Sequence, residues 1–217
     1  MRTRVKICGV RRPEDAVAAA EAGADAVGAI VYAPGSKREI TPVLADEIFS
    51  ALPLFVTSVG VCVGVHSNRL RMIMAQARFD LAQFHGEETP FEVKRAQPSP
   101  VVKSVKADDD LAGSLKTWSD PTIRNLRAIL IDSAAGGGSG EPSDWSKLEA
   151  CEPMLAKPEM PRLILAGGLT PESVGEVVKK FRPWAVDVSS GVEGDDGFKS
   201  ADKMRAFVTA VRDADQA

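Results

Sequence analysis

Leu163-Ile-Leu-Ala-Gly-Gly-Leu-Thr-Pro171 and Trp184-Ala-Val-Asp-Val-Ser-Ser-Gly-Val-Glu193 decide how this chain reads. Each is a short apolar run that ends in small residues, the pattern of a buried strand leading into a turn that can approach a ligand closely. Thr170-Pro171-Glu172 predicts a helix start, with a cap, a first-turn proline and an early acid. Two such strand ends beside a helix N-terminus form an anion cradle, and phosphate is the usual occupant. In an eight-stranded parallel barrel the loops after the last two strands commonly hold phosphate. The reading therefore turns on whether the other residues supply a barrel.

Working outward, similar apolar, β-branched runs occur at 5–8, 26–31, 58–63, 81–84, 101–105 and 128–131. With 163–166 and 185–188 they make eight. Helix-like amphipathic stretches follow them at 13–21, 41–51, 67–77, 89–96, 108–118, 144–150, 170–181 and 200–213, and Gly23 stands just past the first as a stop. Strands alternating with helices predict βαβ units and a parallel sheet, and continuous apolar strands predict a sheet covered on both faces. The fold class expected is α/β, a closed (β/α)₈ barrel, as a single domain over residues 1–217. An open doubly wound sheet is the alternative, disfavoured because no Gly-x-Gly-x-x-Gly follows the first strand.

The chain has 217 residues, enough for one domain with a substantial core, and its 44% hydrophobic and 26% charged content is ordinary for a globular protein. A net charge of −3 without a Lys/Arg cluster makes nucleic acid an unexpected partner. No apolar run is long enough to span a bilayer and no signal-peptide core precedes the first strand, so no membrane partner and a cytoplasmic location are expected. Cys8, Cys62 and Cys151 are odd in number and far apart, which argues against a disulfide framework. With only His66 and His85, and no paired cysteine spacing, no metal site is expected. Monomer and homodimer are both open.

Alternation puts Lys6 with Cys8, Gln83 with His85, Leu130 with Asp132, and Asp187 with Ser189. A polar group thus recurs at strand C-terminal ends, where barrel enzymes place their chemistry. Lys6 and Asp187 lie on the first and last strands, which become neighbours on closure, so an ion pair is expected. Taken alone, Cys8 reads as a small buried hydrophobe and Asp132 as a cap. His85 could be a satisfied core histidine, and Arg38 a surface-loop residue.

Lys6-Ile-Cys-Gly9, Arg12-Pro-Glu-Asp-Ala16, Gly23-Ala-Asp-Ala-Val-Gly28, Ser36-Lys-Arg38, Val59-Gly-Val61, Gln83-Phe-His-Gly-Glu87, Ala166-Gly-Gly-Leu169 and Asp187-Val-Ser-Ser-Gly-Val-Glu193 occur in order. Together they resemble phosphoribosylanthranilate isomerase, an enzyme family of tryptophan biosynthesis, over nearly the whole chain. The resemblance implies an Amadori rearrangement of a phosphoribosyl small molecule, without metal or organic cofactor. It implies that Cys8 is the general base and Asp132 the general acid. It places Arg38 and His85 near the anthranilate, while Asp187 stays open between pairing with Lys6 and binding the substrate. The phosphate falls to Gly167, Gly168, Ser189, Ser190 and Gly191, and Gly137, Gly138, Ser139 and Gly140 read as a lid loop.

Two residues depart from the family pattern. Glu141 stands where a lysine is usual, and Arg11 replaces a small polar residue. Arg11 would lower the Cys8 pKa if its side chain turned inward. Two other activities fit a phosphate-binding barrel: the related indole-3-glycerol-phosphate synthase, and a phosphosugar-binding barrel without turnover. The synthase relies on a lysine acid and glutamates at strand ends, where this chain has Cys8 and Asp132.

Overall fold

The computed structural model describes residues 2–133, 145–155 and 157–217. The expected lid residues Gly137, Gly138, Ser139 and Gly140, with Glu141, lie outside the described residues. Eight strands form a closed, all-parallel barrel in chain order: β1 (Arg4–Cys8), β2 (Ala26–Tyr32), β3 (Thr57–Cys62), β4 (Leu81–Phe84), β5 (Val101–Ala107), β6 (Leu126–Ser133), β7 (Arg162–Leu165) and β8 (Ala185–Val188). Closure joins β1 to β8, with Lys6 opposite Asp187.

The surrounding helices are α1 (Pro13–Ala22), α2 (Pro42–Ser50), α3 (Ser67–Ala77), α4 (Pro90–Arg95), α5 (Leu111–Trp118), α6 (Ser146–Ala150), α7 (Glu152–Leu155), α8 (Val174–Phe181) and α9 (Ala201–Gln216). Their starts follow local chemistry. Thr41 caps α2 by accepting from the Leu44 N–H, and Thr89 and Glu92 form a reciprocal capping box on α4. Gly23 ends α1 at φ 99°, with its N–H bonded to the Ala19 and Ala20 carbonyls. The short α7 was not anticipated; its four residues are too few to show a helical period.

The strands split their side chains between two cores. Val5, Ile7, Val27, Ile129, Ile131, Leu165 and Val186 face the helices in the large outer core. Val102, Ala128, Leu130, Ile164, Ala166 and Ala185 form a smaller cluster apart from it, inside the barrel. Asp132 stands two residues beyond Leu130, and Asp187 two beyond Ala185. Since the strand period is 2, these carboxylates sit directly above the interior plug, at the C-terminal mouth.

Candidate active site

Above that plug lies a cavity of about 270 Å³. Its walls include Cys8, Arg38, Gln83, His85, Asp132, Gly167, Gly168, Asp187, Ser189 and Ser190. Residues from both ends of the chain meet there because each ends, or closely follows, a parallel strand. Of the residues expected at the site and described, Gly191 alone is not in the wall.

On one side stand Cys8, Lys6 and Asp187. The Lys6 ammonium lies 2.8 Å from Asp187 Oδ1, and both side chains are buried. Burial alone would discharge both partners, lifting the Asp187 carboxyl and lowering the ammonium; their opposite charges keep Lys6 protonated, above its ordinary range. Burial pushes the Cys8 thiol up, while the Lys6 and Lys199 ammonium groups favour its thiolate and Asp187 opposes it. Gly28 faces this cluster: a Cβ there would lie 3.0 Å from the Lys6 stem and 3.1 Å from Cys8 Sγ. Both side chains therefore point into the barrel, as alternation predicted.

Across the cavity, His85 Nε2 lies 3.2 Å from Asp132 Oδ2, and Gln83 Nε2 lies 3.1 Å from His85 Nδ1. A neutral ring that accepts from Gln83 carries its proton on Nε2 and donates to Asp132. Asp132 Oδ1 is buried without a hydrogen-bond partner among the described residues. One oxygen of this carboxyl thus lies against His85, and the other has no partner among the described residues. Glu88 steadies the turn behind His85 by accepting from the Gly64 and Gly86 N–H groups at 2.7 and 2.9 Å. Lys103 compensates that buried carboxylate at 3.3 Å and donates to the Gly86 carbonyl at 2.5 Å.

The third wall is the pair of glycine-rich strand ends. Gly167 and Gly168 take φ of 93° and 62°, a consecutive left-handed pair that side-chain-bearing residues rarely adopt. Beyond β8, Ser190–Val192 turn as a single 3₁₀ helix. There a Cβ on Gly191 would lie 2.0 Å from the Leu169 carbonyl oxygen. Glycine at 191 therefore lets the two strand-end loops touch, making one concave surface from two segments. The helix expected to open at Thr170 instead starts at Val174, so Glu172 precedes it. Thr170 and Ser173 exchange backbone–hydroxyl bonds in the intervening turn, at 3.0 and 3.3 Å. Those hydroxyls satisfied the local backbone before a regular helix began.

Arg38 closes the cavity between β2 and β8. Its Nε and Nη2 donate to Glu193 at 2.7 and 2.9 Å. Glu193 Oε1 also accepts from Lys199 Nζ at 2.9 Å. Burial pushes the Glu193 carboxyl up, but the Arg38 and Lys199 hydrogen bonds outweigh it and hold it at about 2. Arg11, expected to influence Cys8 if it turned inward, turns the other way. It donates to the Gly197 carbonyl at 2.6 Å and stacks its guanidinium 4.5 Å from the Phe198 ring centre. Lys199 is the cation from that region that acts on the thiol.

Residues 5–210 match the family model described as N-(5'phosphoribosyl)anthranilate (PRA) isomerase. The chain belongs to the phosphoribosylanthranilate isomerase family. An N-(5'-phosphoribosyl)anthranilate isomerase of Pseudomonas fluorescens (strain SBW25) is 44% identical over 97% of this chain and 96% of its own length. The phosphoribosyl anthranilate isomerase of Thermus thermophilus is 38% identical, with TM-score 0.84 over 97% of this chain and 99% of that one. A third phosphoribosyl anthranilate isomerase was solved in complex with reduced 1-(o-carboxyphenylamino)-1-deoxyribulose 5-phosphate. It is 34% identical, with TM-score 0.82 over the same shares of the two chains.

Several residues that shape this member of the isomerase family escaped the sequence reading. Lys199, Lys103 and Glu88 are buried charges, yet in the sequence each looks like an ordinary surface residue. Their only signal was position, Glu88 just past the His-Gly pair and Lys199 just before the Ser200 cap. Glu193 closed a quoted motif but received no role.

Proposed function

We propose that the chain converts N-(5-phosphoribosyl)anthranilate to 1-(2-carboxyphenylamino)-1-deoxyribulose 5-phosphate, as a step of tryptophan biosynthesis, within one (β/α)₈ domain spanning residues 1–217. The observation that carries this reading is the shared cavity, which sets Cys8 and Asp132 into one space beside the paired glycine loops.

In this reading Gly167, Gly168, Ser189 and Ser190 hold the 5-phosphate, and Gly191 lets the two loops meet. Arg38 takes the anthranilate carboxylate through the guanidinium N–H groups that Glu193 leaves free, and His85 and Asp187 border the substrate. Asp132 holds a proton on Oδ1 while His85 occupies Oδ2. Transfer of that proton to the furanose ring oxygen breaks the C1′–O bond and opens the sugar to a Schiff base. The Cys8 thiolate then removes the C2′ proton, and its electrons move through C1′ to the nitrogen, giving the enolamine. Return of a proton to C1′, with loss of the O2′ proton, gives the aminoketone. Each step is a proton transfer between the substrate and these side chains, so the chemistry calls for neither metal nor organic cofactor. The Lys6 and Lys199 charges oppose the burial that would keep Cys8 protonated.

Purified protein mixed with freshly generated phosphoribosylanthranilate tests this reading. Anthranilate-type fluorescence should decay faster than spontaneous breakdown allows. No acceleration would leave a phosphosugar-binding barrel without turnover as the better account.

A further inference from the structure

Three charges are packed behind the Arg38 wall of the cavity, and they do not sum to zero. Glu193 Oε1 accepts both Arg38 Nε at 2.7 Å and Lys199 Nζ at 2.9 Å. The side chains are 12%, 12% and 1% exposed for Arg38, Glu193 and Lys199. Nearby Asp15 accepts from the Lys199 backbone N–H at 3.4 Å, but its charge is already met by Arg12 at 2.6 Å. Two cations thus share one carboxylate, and the cluster keeps an excess of one positive charge. Arg38 and Glu193 already form a bidentate pair, and without Lys199 that pair would be neutral and would draw a ligand anion less strongly. An uncompensated charge in a sheltered place is costly, and it is relieved by an anion that enters beside it.

The cluster also touches the rest of the site. Lys199 Nζ lies 3.0 Å from the Ser189 carbonyl oxygen and 3.3 Å from its hydroxyl. A Cβ on Gly9, which follows Cys8, would meet Ser189 Oγ at 2.9 Å, Arg38 Cδ at 3.0 Å and Lys199 Nζ at 3.6 Å. Lys199 is absent from the cavity wall, whereas Arg38, Ser189 and Cys8 are all in it.

We propose that Lys199 is a positioning residue that shares Glu193 with Arg38, so that the Arg38 wall keeps a net positive charge for a substrate carboxylate. The inference rests on the role given to Arg38 above. Lys199 never touches the substrate. It competes for the carboxylate that would otherwise neutralise Arg38, and pins Ser189 beside it.

Charge-altering variants separate this role from a structural strap. Lys199→Met leaves Arg38 and Glu193 as a neutral pair, so KM for phosphoribosylanthranilate should rise about tenfold to a hundredfold, with a smaller loss in kcat. Lys199→Arg keeps the charge and should stay near wild type. Combining Lys199→Met with Glu193→Gln restores the single positive charge on Arg38 and should recover much of the lost KM. A KM rise that the double variant fails to reverse, or a Lys199→Arg variant as impaired as Lys199→Met, would overturn the proposal.

A second measurement needs no turnover. Cys8 is faced by Lys6 on its own strand, Asp187 on β8, Arg38 from the loop after β2 and Lys199 from the segment before α9, with His85 and Asp132 across the cavity. Neutral iodoacetamide, read at Cys8 by peptide mass, should alkylate the Lys199→Met thiol at higher pH than wild type, and an unmoved profile would overturn the proposal. Wild-type protein without isomerase activity would sink the function proposed above instead, and the alkylation profile would still report whether the Lys199 charge reaches the cavity.

Discussion

Cys8 and Asp132 face one cavity from β1 and β6. Cys8→Ala and Asp132→Asn should each lower kcat by about 10²- to 10⁴-fold, with KM changed only a few-fold, as loss of a general base or acid does. Steady-state fluorescence kinetics on folded variants would check this, and a variant retaining wild-type kcat would remove its residue from the mechanism. Glu193 makes a separate prediction about pH. Its carboxyl is held at about 2 in the fold, against an ordinary value of about 4.3 in an unfolded chain. A depressed carboxyl contributes stability in full above its unfolded value and loses it as pH falls towards its folded one. Glu193→Gln should therefore lower the urea midpoint near pH 6, and its deficit against wild type should shrink steadily between about pH 5 and pH 2. A deficit that is constant across that window would show that the Arg38 and Lys199 contacts do not hold the group ionised. These residues were unequally legible. Cys8 and Asp132 stood in motifs at strand ends, whereas Lys199 gained its role only when α9 brought it under Gly9.

The loops after β7 and β8 work because two backbones touch where a methyl group would not fit. Gly191→Ala sets a Cβ 2.0 Å from the Leu169 carbonyl oxygen, so the 3₁₀ turn and the Gly167-Gly168 loop must separate. Such overpacking costs about 1–3 kcal/mol. The expected result is a lower urea midpoint together with weaker affinity for inorganic phosphate, measured by calorimetry. Gly168→Ala acts on the backbone instead, because φ of 62° costs a side-chain-bearing residue about 1–2 kcal/mol. The glycines announced this pair of loops in the sequence. The start of α8 was misplaced by several residues, since Thr170 and Ser173 satisfy each other in a turn that a cap-plus-proline pattern does not distinguish from a helix.

In the closed barrel, β1 and β8 become neighbours and the polar strand ends share one mouth, so phosphate binding should be felt by the whole fold. A ligand held by the native state alone adds about 2.7 kcal/mol at a hundred times its dissociation constant. Inorganic phosphate at that excess should raise the thermal midpoint of wild type, and Gly191→Ala should gain much less. An equal gain in both would place the anion elsewhere. The sequence alone determined the eight-unit barrel, because strand and helix periods and their punctuation are written in local residue types. It also set Cys8, Asp132 and the glycine-rich turns at strand ends, while the acid and base roles proposed for Cys8 and Asp132 came from the family resemblance. Only the tertiary structure decided which charges are buried and how they are shared: Arg11 outward, Lys199 inward, Glu193 between two cations. Charge sharing of that kind depends on distances between segments far apart in the chain, 155 residues for Arg38 and Glu193, and no local pattern encodes them.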